Sequence, residues 1–305
     1  MPDQDSRRWI TEGIDERAIQ SLTRTLSASD LWSFLLWLTE QRALTRTTNT
    51  LQQQWQRDRF VQPSLVEQRR LLEIDLELLQ MAHGFESIEL SPLAPLGTCS
   101  RVALTAQNRI VSTVRGTEVV SDPTNVLALE SARRLRLDPT QVVKLTTSHR
   151  CVRSQPFPDK PGFAAHFRMF CMTTAGHETA DQQFTVDALI EHIRRQWQGL
   201  DRLEQRGYAF PARSVTLLAT AERAHLADRM ATALEDLPLE RKPLDHGYYD
   251  GLRFMIQAHS SQADSLIPLI DGGAFDWVGK LASNDKLAFV ASALGTQIAA
   301  FAFRA

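Results

Sequence analysis

The stretch that most constrains this chain runs over residues 145–176, LTTSHRCVRSQPFPDKPGFAAHFRMFCMTTAG. An apolar-alternating run ends in Arg153, a Pro/Gly-rich loop follows, and a second run opens at His166 and carries Phe170. Two such runs joined by such a loop form an antiparallel hairpin. Pro156, Pro158 and the Pro161-Gly162 dipeptide keep the loop out of both strands, because proline has no N–H to give to a ladder. Side chains alternate across a strand, so His166, Arg168 and Phe170 share one face. A fixed guanidinium suits phosphate oxygens, an imidazole N–H can donate to them, and an aromatic face suits a purine. Arg153, His166 and Phe170 are therefore candidate nucleotide ligands. A half-buried hairpin with basic surface residues is the alternative reading of the same stretch.

Around the hairpin the chain reads as helices and short strands. Residues 1–62 form a helical N-terminal region without chemistry; within it residues 31–38 are apolar around most of the helix and must be buried in the core or against a partner. A helix from Pro63 and Ser64 to Met81 shows a buried stripe, and FESIELSPLAPLG reads as a strand stopped by Pro92 and Pro95. Residues 109–114 read as a further strand. Ser121 or Asp122, with Pro123 just inside, caps a helix over 125–135. After the hairpin come a long helix over 186–205, a strand at 215–220, a helix over 221–237 and a strand over 252–258. The last apolar run, interrupted by Gly295, Thr296 and Gln297, is a buried strand plus helix rather than a membrane span. With 305 residues there is room for one large or two ordinary domains.

A net charge of −2 gives no electrostatic footprint for nucleic acid. Cys99, Cys151 and Cys171 lack metal-ligand spacing and read as reduced thiols of a cytoplasmic protein. No apolar signal core stands at the N-terminus. Neither a Walker loop nor a Rossmann fingerprint is present.

The Arg153…His166-x-x-x-Phe170 pattern resembles motif 2 of the class II aminoacyl-tRNA synthetases. The resemblance implies that Arg153 holds the ATP α-phosphate, His166 the outer phosphates, and Phe170 stacks on adenine. The helix and strand before Pro92 are similar to motif 1, which implies a homodimer. Asp122 and Thr124 resemble the acid-x-Thr of the histidine-specific enzymes, which receives the substrate amino group; capping remains an alternative role for Asp122. Tyr248, Tyr249, Gly251 and Phe254, then Gly272, Gly273, Phe275 and Asp276, then Phe289, follow the same family's order. They add Tyr248, Tyr249 and Asp276 as substrate-binding residues. The resemblance covers roughly residues 63–303 and leaves no length after it for an anticodon-binding domain.

Several family positions depart from the pattern. Gln155 replaces the motif 2 acid, Ala274 an arginine, Gly295 the motif 3 arginine, and LDHG stands where a catalytic arginine is expected. Met172 and Gly176 replace residues that recognise histidine. Losing one preorganised electrostatic group typically costs about 3 kcal/mol of transition-state stabilisation. The expectation is an α+β protein: residues 63–305 as a class II synthetase-like antiparallel sheet flanked by helices, behind the helical extension 1–62. Two functions follow. One is a small-ligand (amino acid or nucleotide) regulatory or sensor protein that does not charge tRNA, like the paralogue that controls ATP phosphoribosyltransferase, with a partner enzyme. The other is an ATP-dependent, magnesium-assisted ligase that adenylates a small acid. His246, Tyr248, Tyr249 and Asp250 form a polar turn, and Asp271 with Asp276 flanks an Asp-Gly-Gly segment that reads first as a turn.

Overall fold

The structure, a computed structural model, describes residues 13–155, 164–245 and 247–304. The loop residues Pro156, Pro158, Pro161 and Gly162, and His246 of the expected turn, lie outside the described residues.

Among the described residues the first α-helices are α1 (Glu16–Gln20), α2 (Ala28–Leu44) and α3 (Thr48–Arg57). Ser27 caps α2 by accepting from the Asp30 N–H, and a Thr47–Thr50 capping box starts α3. No residue of α2 is buried, and Phe34, Trp37 and Leu38 are more than one-third exposed. Burial of this helix in the core, one of the two sequence expectations, is therefore excluded. Its Trp32 side chain does reach the body of the protein, lying against Gly116.

The fourth helix, α4 (Gln68–Met81), starts five residues after Pro63, because Glu67 rather than Ser64 caps it. Leu71, Ile74, Leu78 and Met81 form its buried stripe, and Asp75 shares that stripe. The segment expected as one strand is two: β1 (Glu86–Ser87) and β2 (Leu93–Pro95), which join different sheets. A short helix α5 (Thr98–Val102) follows. Residues 109–114 do not make the expected strand. A 3-10 turn (Gln107–Arg109) and a single bridge from Ser112 to Glu118 take its place before β3 (Thr117–Val119).

Helix α6 (Pro123–Leu137) starts as expected at Asp122 and Pro123. The hairpin strands β4 (Val143–Val152) and β5 (His166–His177) pair antiparallel, Val152 opposite His166. Then come α7 (Gln183–Glu204), β6 (Ser214–Ala219), α8 (Ala224–Ala233), β7 (Leu239–Pro243), β8 (Leu252–Ser260), β9 (Ser265–Phe275), α9 (Trp277–Ala282), β10 (Leu287–Leu294) and α10 (Thr296–Ala302).

One eight-stranded sheet has the order β1-β4-β5-β10-β9-β8-β6-β7. It is antiparallel from β4 to β6 and parallel only at its two edges. The architecture is the expected α+β one. Helices α4, α7, α8 and α10 cover the back of the sheet, packing Phe170, Met172, Phe254, Ile256 and Leu294. On the front, α6 and α9 cover only one end, over Leu145, Cys171, Ala175, Phe289 and Ala291. The uncovered front of β5, β10 and β9 is the floor of a cavity.

Candidate functional site

The odd-numbered positions of β5, β9 and β10 face the front. Phe167 and Met169 of β5, Asp271 and Gly273 of β9, and Ala291 and Ala293 of β10 lie on that side. Over them stand the α6 N-terminus with Asp122 and Thr124, Arg153 just beyond β4, the Tyr248-Tyr249 turn before β8, and the start of α10 with Ile298. Together they enclose about 560 Å³.

The charged groups of this cavity are already paired. Asp122 Oδ1 accepts from the Thr124 N–H (3.0 Å) and hydroxyl (2.7 Å), while its Oδ2 lies 3.5 Å from Arg153 Nη2. Arg153 Nε donates to the Ser121 carbonyl at 3.0 Å, and its guanidinium sits over the Phe167 ring, 5.0 Å from the centroid. Asp271 accepts the Tyr249 hydroxyl (2.8 Å) and the Arg253 guanidinium through both oxygens (2.9 and 2.7 Å). Arg253 also lies 5.1 Å over the Tyr249 ring. Arg168, at the edge, is ion-paired with buried Asp75, which also accepts the Ser148 hydroxyl. Burial holds the Asp75 carboxyl above the usual range, against the pull of Ser148 and Arg168. Around this cavity Arg153 and Arg253 thus each carry a carboxylate, and Arg168 meets Asp75 on the other face of the sheet.

The remaining wall is apolar and aromatic. Tyr248 packs edge-on against Tyr249 and Phe275, at 5.0 and 5.6 Å. Burial first, then the nearby carboxylates, push both tyrosine hydroxyls far up, so they are neutral donors. Gly273 makes this arrangement geometrically feasible. A Cβ there would fall 2.4 Å from the Leu252 carbonyl and 2.5 Å from Tyr249 Cδ1, so only glycine lets Tyr249 lie across the strand.

Five of the eight residues expected at a site from the sequence meet here: Asp122, Thr124, Arg153, Tyr248 and Tyr249. Three do not. Phe170, expected to stack on adenine, is fully buried on the back face among α4 and α7 side chains. His166 is on the back too, its ring nitrogens 2.7 Å from the Gln62 carbonyl and 2.9 Å from Arg150 Nη1. The alternation that put His166, Arg168 and Phe170 on one face was right, but that face is turned away from Arg153. Phe167, one step out of phase with Phe170, is the aromatic beside Arg153. Asp276 is exposed and paired with Lys280 at 2.6 Å, outside the cavity. Met172 likewise points to the back core rather than toward a ligand.

Sequence reasoning missed the Arg253–Asp271 pair. The Asp-Gly-Gly segment is strand, not turn, and the doublet Tyr248-Tyr249 was the signal that a nearby strand must give up its side chains. Among the described residues no group of three histidine, cysteine or acidic side chains is placed to hold a metal ion. No helix among them is long and apolar enough to cross a membrane.

No protein-family model matches the sequence, and no curated protein aligns with it. Solved structures do match. The ATP phosphoribosyltransferase regulatory subunit/histidyl-tRNA synthetase of Bacillus halodurans superposes with a TM-score of 0.60 at 13% identity, over 79% of this chain and 82% of that one. A histidine–tRNA ligase subunit from Alicyclobacillus acidocaldarius gives 0.58 at 13% identity, over 76% of this chain and 92% of that one. Apo histidyl-tRNA synthetase of S. aureus gives 0.53 at 13% identity, over 74% of this chain and 62% of that one. The chain thus spans about three-fifths of the staphylococcal enzyme. At such identity the likeness is one of fold, and the fold is that of the class II synthetases.

Proposed function

We propose that this class II synthetase-like fold binds a small amino-bearing ligand and serves as a regulatory or sensor protein, without charging tRNA. The observation that carries the reading is the pairing of Arg153 with Asp122, Arg253 with Asp271 and Arg168 with Asp75. Activating an amino acid with ATP builds negative charge on the α-phosphate and pyrophosphate, and needs cations free to meet it. Around this cavity each of these cations is compensated, so a triphosphate finds no net positive field. A zwitterion of amino-acid size is well matched: Asp122 offers its Oδ2, only loosely held by Arg153 at 3.5 Å, to an ammonium, and the apolar wall receives the rest.

The Bacillus halodurans neighbour is a regulatory subunit of ATP phosphoribosyltransferase or a histidyl-tRNA synthetase, which supports the regulatory side of the reading and, with it, a partner enzyme. The exposed apolar side chains of α2 support a homodimer in which they are covered. Three buried, unpaired cysteines fit the cytoplasm.

A thermal-shift panel of the amino acids and of ATP-Mg²⁺ tests this. A ligand at 100 times its dissociation constant stabilises by about 2.7 kcal/mol. A shift with an amino acid alone is expected. A shift with ATP, enhanced by an acid substrate, overturns the reading in favour of an ATP-dependent ligase.

A further inference from the structure

At the end of the back face, where the chain passes from α3 to α4, lies a small cavity of about 120 Å³. Arg59 and residues 62–66 form one wall, His166 at the start of β5 and Gln297 of α10 another. Among the described residues no acidic side chain lines it. The charges behind its wall do not balance. Arg150 and Arg168 stand directly opposite each other in the β4–β5 register, both on the back of the sheet, where like charges repel. Asp75 is ion-paired with Arg168, but Arg150 makes no ion pair among the described residues. Its Nη1 lies 2.9 Å from His166 Nδ1 and 3.3 Å from Gln297 Oε1, both neutral acceptors. His166 can only accept at Nδ1, because its Nε2 donates to the Gln62 carbonyl at 2.7 Å. A part-buried guanidinium with neutral partners alone calls for an anion. Gln297 is only 4% exposed, and with its Oε1 turned to Arg150 its amide N–H groups make no hydrogen bond among the described residues. The Ser64 oxygen accepts the Val66 N–H at 3.2 Å, which leaves its O–H to donate.

We infer that this cavity binds a small oxyanion, a phosphate or a carboxylate group. Arg59, the Ser64 hydroxyl and the Gln297 amide are its donors, and Arg150 is the uncompensated charge behind them. The inference goes beyond the amino-ligand reading of the main cavity and does not depend on it. The anion ties residues 59–66, next to the N-terminal helices, to the start of β5 and to α10. Its occupancy therefore governs how firmly that segment is held against the sheet. No bond forms or breaks; the site recognises and releases.

The test titrates the full chain with inorganic phosphate and with acetate, against sodium chloride of equal ionic strength. Isothermal titration is expected to show saturable binding of one or both anions. At ten times its dissociation constant the bound anion should raise the melting temperature by about 3 °C over the chloride control. Phosphate alone identifies a phosphoryl group as the natural occupant; acetate binding as tightly identifies a carboxylate. Arg59→Gln should weaken the anion about tenfold, and Arg59 is exposed, so the fold is not at issue. Gln297→Glu places a carboxylate beside Arg150 and so supplies the anion from within the chain. It should raise the melting temperature of the anion-free protein, by about 2 °C, and abolish the response to phosphate and acetate. A merely structural glutamine would instead give a less stable protein on burial of the new charge. A lower melting temperature for Gln297→Glu, or an anion response that Arg59→Gln leaves unchanged, overturns the site. Absence of saturable binding by both anions overturns it as well, and leaves the amino-ligand reading untouched.

Discussion

Replacing Asp122 by asparagine separates its two roles in one experiment. As helix cap, the side chain accepts the Thr124 N–H at 3.0 Å; as counter-ion, it lies 3.5 Å from Arg153 Nη2. Asparagine caps as well as aspartate does, so the first role survives and the second is lost. Two unit charges 3.5 Å apart would interact by about 5 kcal/mol at an effective dielectric of about 20. The Arg153 side chain is 32% exposed and Asp122 19%, so solvent reduces the pair to about 1 kcal/mol of net stability. Asp122→Ala loses the cap too and should cost about 1 kcal/mol more. Urea unfolding of the two variants measures these differences. Binding should respond far more than stability, because the ligand ammonium loses its only nearby charge on α6: about 10- to 100-fold weaker by titration calorimetry. At the same time Arg153 is released, and ATP-Mg²⁺ should gain affinity. If Asp122→Asn binds the amino ligand as tightly as the unaltered protein, the placement of the ammonium is wrong.

Other perturbations test neighbouring parts of the account. Gly273→Ala places a Cβ into Tyr249 and the Leu252 carbonyl, and should cost about 1–3 kcal/mol by calorimetry while abolishing ligand binding. Phe170→Ala should cost about 3–5 kcal/mol as a core cavity, whereas Phe167→Ala should cost little stability and weaken the ligand; the reverse pattern would exchange the two faces of β5. Burial holds His192 down to about 3, between Thr174 and Ser292. The unfolded chain, with an ordinary histidine near 6.5, then takes up a proton that the folded one refuses. Stability contributed by this group is full above about pH 6.5 and declines below it, by at most about 1.4 kcal/mol per pH unit down to about pH 3. His192→Gln should flatten that slope in urea titrations. Trp37→Lys on the exposed face of α2 should turn a dimer into a monomer by light scattering; a native chain that is already monomeric removes the homodimer proposal.

The hairpin, the α6 cap at Asp122-Pro123, the long α7 and the closing strand-helix pair were legible because each rests on local chemistry: alternation, capping, helical stripe and turn residues. The open face of the hairpin was not legible. In HFRMFCMTTAG both sets of alternate residues are apolar, since α7 and α4 pack one side and α6 the other. Period two therefore says which residues go together but not which set meets the cavity. Arg153 lies one residue past the end of β4, so the loop rather than alternation sets its direction. Asp276 follows the last residue of β9, where the strand gives way to α9 and the chain leaves the sheet for solvent. Asp271 was obscured by its glycines, which local preference assigns to a turn and tertiary packing to a strand crossed by Tyr249.

Amino-acid-dependent exchange of labelled pyrophosphate into ATP puts the central claim to the most direct trial, because reversible adenylate formation is the step that compensated arginines cannot support. With saturating amounts of whichever amino acid stabilises the protein, the expected result is exchange no faster than in the protein-free control. Exchange above that control, lost in Arg153→Ala, would contradict the account and restore this cavity as an activation site.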